Sequence, residues 1–147
     1  MASAVALGRE VGSNPIVSVR VCGMEGRALL DSGCLVGNVA DEQWVRSALG
    51  LERREDLTAL GMKPYCGRAT SADTSAITSI AGVIDLTLTL TSGDLSYEGP
   101  HTFLVMKAVF PLLIGWKTLI GEAYSFYMAV LRQCRDQILD APSRHQL

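Results

Sequence analysis

The chain has few residues of the kinds that build metal sites, disulfide frameworks or membrane spans. Its two histidines and four cysteines form no CxxC pair and no metal-ligand spacing, so we predict no bound metal and no other cofactor. No apolar run approaches the length of a membrane span, and the apolar N-terminal piece is too short for the core of a signal peptide. We therefore expect a soluble cytoplasmic protein with reduced cysteines that act as small hydrophobic side chains.

Blocks of one charge sign are also missing. The net charge of −2 comes from interspersed acidic and basic residues, which gives no electrostatic reason to expect nucleic acid or an anionic membrane as a partner. The 147 residues are 48% hydrophobic and 19% charged, a composition typical of one globular domain. We divide the chain into a flexible N-terminal arm (residues 1–14), a folded domain (15–124), and a C-terminal helix or interface segment with a tail (125–147).

Two short segments stand out. In residues 27–38, RALLDSGCLVGN, two leucines of a predicted buried strand lead into Asp31, a carboxylate with no local cation. Such a group indicates a site, because ionisation near a core is costly. Ser32 can hydrogen-bond nearby polar groups, and Gly33 permits a tight turn. Residues 111–119, PLLIGWKTL, form an apolar strand that ends in Gly115 before a short helix.

In this order, the two segments resemble the two signatures of the retropepsin-like aspartic proteases of the retroviral and gypsy-like retrotransposon type. The resemblance spans about residues 16–119. It implies a mainly β fold, a retropepsin-like closed β-barrel lobe (the acid protease fold) with one to three short helices. It also implies an aspartic endopeptidase that processes the polyprotein of a retroelement.

Peptide hydrolysis by this chemistry needs two carboxylates, one acting as a base on water and the other as an acid towards the carbonyl oxygen. Because the chain has one good Asp-Ser-Gly, the resemblance implies a homodimer in which Asp31 from each subunit meets at the twofold axis. Ser32 would hydrogen-bond across that axis, and Gly33 would present its backbone N–H to the carboxylates. Repulsion between the two carboxylates favours mildly acidic conditions.

The resemblance further implies an extended polypeptide substrate, held by strand addition under a mobile flap. The predicted flap tip lacks the glycines of viral flaps, and an ordinary hairpin loop is the alternative; its residues are Ala72, Asp73, Thr74 and Ser75. Cys34, Val36 and Ile114 are the other predicted substrate-binding residues. For Val36 and Ile114 the barrel core is the alternative location, and for Cys34 simple space filling.

Local patterns predict most of the remaining elements. Period-2 alternation predicts strands over residues 16–21 and 83–90, with a hairpin turn at 22–26 and a returning strand at 27–31. Helices are expected after a cap at Asn38 or Asp41, over residues 51–60 and over 118–123. Residues 91–100 are expected to be turn-rich and 101–109 to form a strand. For residues 128–139 we favour an amphipathic helix over an interface strand.

Two other functions remain open at this stage. One is a catalytically inactive retropepsin-like module that serves in dimerisation or peptide binding. The unusual flap favours it, as does Lys117, which stands where the family often carries Asp or Asn. The other is a small β-rich binding domain in which Asp-Ser-Gly is an ordinary turn.

Overall fold

A computed structural model describes residues 14–65, 68–70 and 77–145, with the backbone alone for residues 68–70, 77–78 and 138–145. The strands are β1 (Ile16–Val21), β2 (Met24–Leu30), β3 (Asn38–Asp41), β4 (Arg68–Thr70), β5 (Ile77–Ser79), β6 (Gly82–Ser92), β7 (Leu95–Met106) and β8 (Leu112–Ile114). The helices are α1 (Glu42–Ala48), α2 (Arg54–Ala59), α3 (Trp116–Ile120) and α4 (Tyr124–His145).

Six strands close into a barrel in the order β1-β2-β8-β3-β7-β6, and antiparallel pairing of β1 with β6 completes the ring. Alternate side chains point inward, as the period-2 patterns predict. Val17, Val19 and Val21 of β1 are buried, as are Leu88 and Leu90 of β6. The predicted mainly β closed barrel is confirmed.

Strand β8 lies between β2 and β3 in the barrel. It pairs in parallel with β2 and antiparallel with β3. The connection between β2 and β3 therefore begins and ends beside the same strand. Strands β4 and β5 form a separate antiparallel pair, Arg68 opposite Ser79.

Three helices are short and the fourth, α4, has 22 residues. Asp41 begins α1, because its Oδ2 accepts a hydrogen bond from the backbone N–H of Trp44 at 3.1 Å. The predicted C-terminal helix is confirmed: α4 places Phe126, Tyr127 and Val130 against the barrel. None of the described helices has the length and apolarity needed to cross a membrane.

The structure corrects the prediction for residues 91–100. Only Gly93 and Asp94 form the turn, while β6 runs to Ser92 and β7 begins at Leu95. Gly93 has φ +62°, a conformation that glycine adopts at little cost, so two residues suffice for the reversal. The polar content of β7 reflects its outward face, where Ser96 is exposed, and not a loop.

Candidate active site

The loop between β2 and β3 is held by backbone hydrogen bonds to β8 and the start of α3. The N–H of Asp31 donates to the carbonyl oxygen of Ile114 at 2.9 Å, and the N–H of Trp116 donates to the carbonyl oxygen of Cys34 at 3.0 Å. Within the loop, the N–H of Cys34 donates to the carbonyl oxygen of Asp31 at 3.0 Å. Because Leu30 is fully buried, Asp31 follows directly from the barrel core.

Gly115 lies where the β8 chain passes closest to the loop. A Cβ atom at this position would lie 2.5 Å from the carbonyl oxygen of Gly37 and 2.9 Å from that of Cys34. Both are backbone atoms of the loop, so any side chain here would displace it. This close approach explains why the second segment needs a glycine at this position.

Asn38 fastens the other end of the loop to the barrel. Its Oδ1 accepts a hydrogen bond from the buried N–H of Gly115 at 2.8 Å, and its Nδ2 donates to the carbonyl oxygen of Thr102 at 3.4 Å. The sequence suggested Asn38 or Asp41 as a helix cap; the structure gives that role to Asp41. The bridging role of Asn38 was not predicted.

The Asp31 carboxylate is partly buried, and its two oxygens differ in their surroundings. Oδ1 accepts hydrogen bonds from the N–H of Gly33 at 3.0 Å and from Nδ2 of Asn14 at 3.2 Å. Ser32 Oγ donates to Oδ1 of Asn14 at 3.5 Å. Among the described residues, no side chain or backbone group donates to Oδ2, and no cation pairs with the carboxylate. Oδ1 is therefore held by hydrogen bonds, while Oδ2 is available to accept one.

Cys34 lies at the base of this loop. Its thiol donates to the carbonyl oxygen of Gly37 at 3.2 Å. Burial raises the pKa of the Cys34 thiol, and the negative charge of Asp31 raises it further, while hydrogen bonds from the backbone of Val36 and Gly37 lower it in part. At neutral pH the side chain is therefore a neutral thiol that fills space beside Asp31.

The other predicted substrate-binding residues lie in different settings. Val36 is 62% exposed, and its neighbour Leu35, which was not predicted, is 73% exposed, so two apolar side chains flank the loop in solvent. Ile114 has no exposed surface and packs in the core; a substrate cannot reach its side chain, and its contribution to the site is through its backbone carbonyl. The predicted flap tip, Ala72 to Ser75, lies outside the described residues.

The role of Asn14 was not predicted either, since residues 1–14 were assigned to the N-terminal arm. A signal for it exists in the β1–β2 register, in which Ile16 faces Leu29. Two further steps along both strands place residue 14 opposite residue 31. Within the described residues, no group of three or more His, Cys, Asp or Glu side chains is arranged to hold a metal ion.

No family model and no curated protein matches the chain. Among solved structures, it is similar to the retroviral protease-like domain of Ddi1 from Leishmania major. The two are 17% identical over 71% of each chain, with a TM-score of 0.46. At this identity and TM-score the similarity assigns no activity, so a function must be argued from the loop itself.

Proposed function

We propose that this chain is a retropepsin-like aspartic endopeptidase that acts as a homodimer. The observation that carries the proposal is the Asp31 carboxylate at the exit of a buried strand. Its Oδ1 is held by the N–H of Gly33 at 3.0 Å, and its surroundings in the described structure contain no pairing cation. A purely structural carboxylate so close to a core is normally paired or fully hydrogen-bonded.

Each chain supplies one such carboxylate, and peptide hydrolysis by this chemistry requires two. In a twofold dimer, one Asp31 takes a proton from a water molecule, whose oxygen attacks the peptide carbonyl carbon. The other Asp31, in its protonated form, gives its proton to the carbonyl oxygen. When the C–N bond breaks, the leaving amine takes the proton held by the Asp31 that acted as base, and one hydroxyl of the tetrahedral intermediate returns its proton to the other Asp31. Ser32 hydrogen-bonds across the twofold axis and holds the two loops together, while Gly33 presents its N–H to the carboxylate.

The exposed apolar side chains next to the loop suggest the substrate class. Leu35 and Val36, 73% and 62% exposed, lie immediately beyond Cys34. An extended polypeptide that passes Asp31 contacts this segment and gains by burying its own apolar side chains there. The retroelement polyprotein as the natural substrate follows from the resemblance of the two sequence segments, whereas the cytoplasm as the location follows from the composition of the chain.

The test is cleavage of a mixed peptide library at mildly acidic pH. We expect the wild type to cleave it and Asp31→Asn to be inert, because the amide can neither take nor share the proton. An inhibitor that mimics the tetrahedral transition state of aspartic proteases should abolish the same cleavages. Cleavage that survives Asp31→Asn would refute the proposal. An inert wild type that crosslinks as a dimer would instead support the alternative, a dimerisation or peptide-binding module without catalysis.

A further inference from the structure

Asn14 lies beside Asp31 because of the pairing of the first two strands. Each cross-strand pair from Ile16↔Leu29 to Val21↔Met24 continues one register, and the N–H of Leu30 donates to the carbonyl oxygen of Pro15 at 2.9 Å. That bond extends the ladder by one pair beyond β1. The next position along is Asn14, opposite Asp31. The register of the first two strands therefore places Asn14 beside Asp31.

The side chain of Asn14 uses both of its polar atoms in the site. Nδ2 donates to Asp31 Oδ1 at 3.2 Å, while Oδ1 of the amide accepts from the Ser32 hydroxyl at 3.5 Å. This orientation is the one that chemistry requires, because a flipped amide would point its oxygen at an ionised carboxylate. Asn14 thus connects Asp31 with Ser32.

The consequence for Asp31 is a difference between its two oxygens. Oδ1 receives the Gly33 N–H and the Asn14 amide, a combination that fixes the carboxylate plane and makes Oδ1 the less available oxygen. Oδ2 is left for a shared proton and the attacking water. The amide is neutral, so it orients the carboxylate without supplying a counter-charge that would weaken it as a base.

We propose that Asn14 is a positioning residue for Asp31: it holds Oδ1 and directs Oδ2 towards the reaction. This inference rests on the proposed function. It adds a residue from outside the Asp-Ser-Gly loop, supplied by the start of β1.

The first test is the kinetics of four variants against the wild type. Asn14→Ala, which loses the donor, should lower kcat about threefold to tenfold with KM within about twofold, since one hydrogen bond is lost. Asn14→Gln keeps an amide and should recover part of kcat. Asn14→Asp has the same shape but sets a second carboxylate against Asp31, so it should be the slowest. Ser18→Ala, an exposed site on the same strand, should match the wild type.

The split between kcat and KM, read beside the thermal unfolding midpoint, separates positioning from a general effect on folding. The Asn14 amide orients the Asp31 carboxylate, so its loss in Asn14→Ala should lower kcat while KM and the unfolding midpoint stay close to those of the wild type. A wild-type kcat in Asn14→Ala would overturn the inference.

A measurement that needs no activity keeps the two proposals separate. In amide NMR spectra, Asp31→Asn should shift the side-chain NH2 signals of Asn14, whereas Ser18→Ala should leave them unchanged. An inert wild type with shifted signals would refute the protease and retain the Asn14 contact. Unshifted signals would refute the positioning role even if Asp31→Asn abolishes cleavage.

Discussion

Asn38 is one of two buried polar side chains in the described part of the chain, and it is 7% exposed. It joins three segments that are distant in sequence: the loop end, β7 and the start of α3. Because the N–H of Gly115 is buried, it has no access to solvent if the Asn38 acceptor is removed. The Asn38 amide therefore supports the loop together with the backbone hydrogen bonds to β8 and the start of α3.

Replacing Asn38 with alanine should lower the free energy of unfolding by about 1–3 kcal/mol, because a buried N–H loses its acceptor. Denaturation in urea measures this change. Thr102→Ala is the matched control: it removes an exposed hydrogen bond to Asp85 while keeping the Thr102 carbonyl that Asn38 contacts. That control should change stability by less than about 0.5 kcal/mol. Equal effects of the two substitutions would contradict the role given to Asn38.

The reactivity of the Cys34 thiol depends on the charge of Asp31. Burial and the Asp31 carboxylate raise the pKa of its thiol, so alkylation of Cys34 should require more alkaline pH than alkylation of the exposed Cys22. In Asp31→Asn the negative charge is gone, the pKa of the thiol falls and Cys34 should react faster at a given pH. Peptide mapping after timed iodoacetamide treatment measures both rates. A Cys34 rate that does not respond to Asp31→Asn would show that the two side chains are not coupled.

At this scale, the sequence is informative where the contacts are local. Asp31, Ser32 and Gly33 were proposed as a site because they form one tripeptide after an apolar strand. Asn14 and Asn38 were missed because their partners lie far along the chain, at Asp31 and at Gly115. Ile114 looked equally suitable for a pocket wall or the core, and only the barrel closure places it inside.

Among the elements, α4 shows how much an amphipathic pattern can predict. The spacing of apolar residues over 128–139 indicated a helix, and of these residues Val130 is buried while Met128, Leu131 and Cys134 pack partly buried against the core. Phe126 and Tyr127, one turn earlier, are also buried. Phe126 also packs against Tyr97 of β7, with ring centroids 6.4 Å apart. The extent of β7 was not predictable in the same way, because its outer face is polar and resembles a loop.

Phe126→Ala should destabilise the protein by about 3 kcal/mol or more, since it opens a cavity between helix and barrel. Tyr124→Ala, on the same helix but 49% exposed, should cost less than about 0.5 kcal/mol. Thermal unfolding followed by circular dichroism compares the two. An unfolding midpoint of Phe126→Ala equal to that of the wild type would show that α4 does not contribute to the stability of the core.

For the whole molecule, the central question is whether the site belongs to one chain or two. If both Asp31 carboxylates are needed, a subunit with Asp31→Asn inactivates every dimer that it enters. Wild type mixed with an equal amount of the variant, and allowed to exchange, should retain about one quarter of the activity of an all-wild-type sample at the same total concentration. Retention of about half would indicate that each subunit acts alone. Exchange is verified by mass spectrometry of the mixed species.

The parallel pairing of β2 with β8 also has a consequence for timing during synthesis. Ala28 pairs with Leu112, and the N–H of Asp31 donates to the carbonyl oxygen of Ile114. The loop therefore lacks these contacts until most of the chain has been synthesised. Contacts between residues so far apart in sequence form slowly, because a large loop must close first. A nascent chain that has emerged only as far as β7 therefore contains Asp31 but cannot form the hydrogen bond that positions its backbone. The geometry of the Asp31 loop can therefore form only after the ribosome has passed β8.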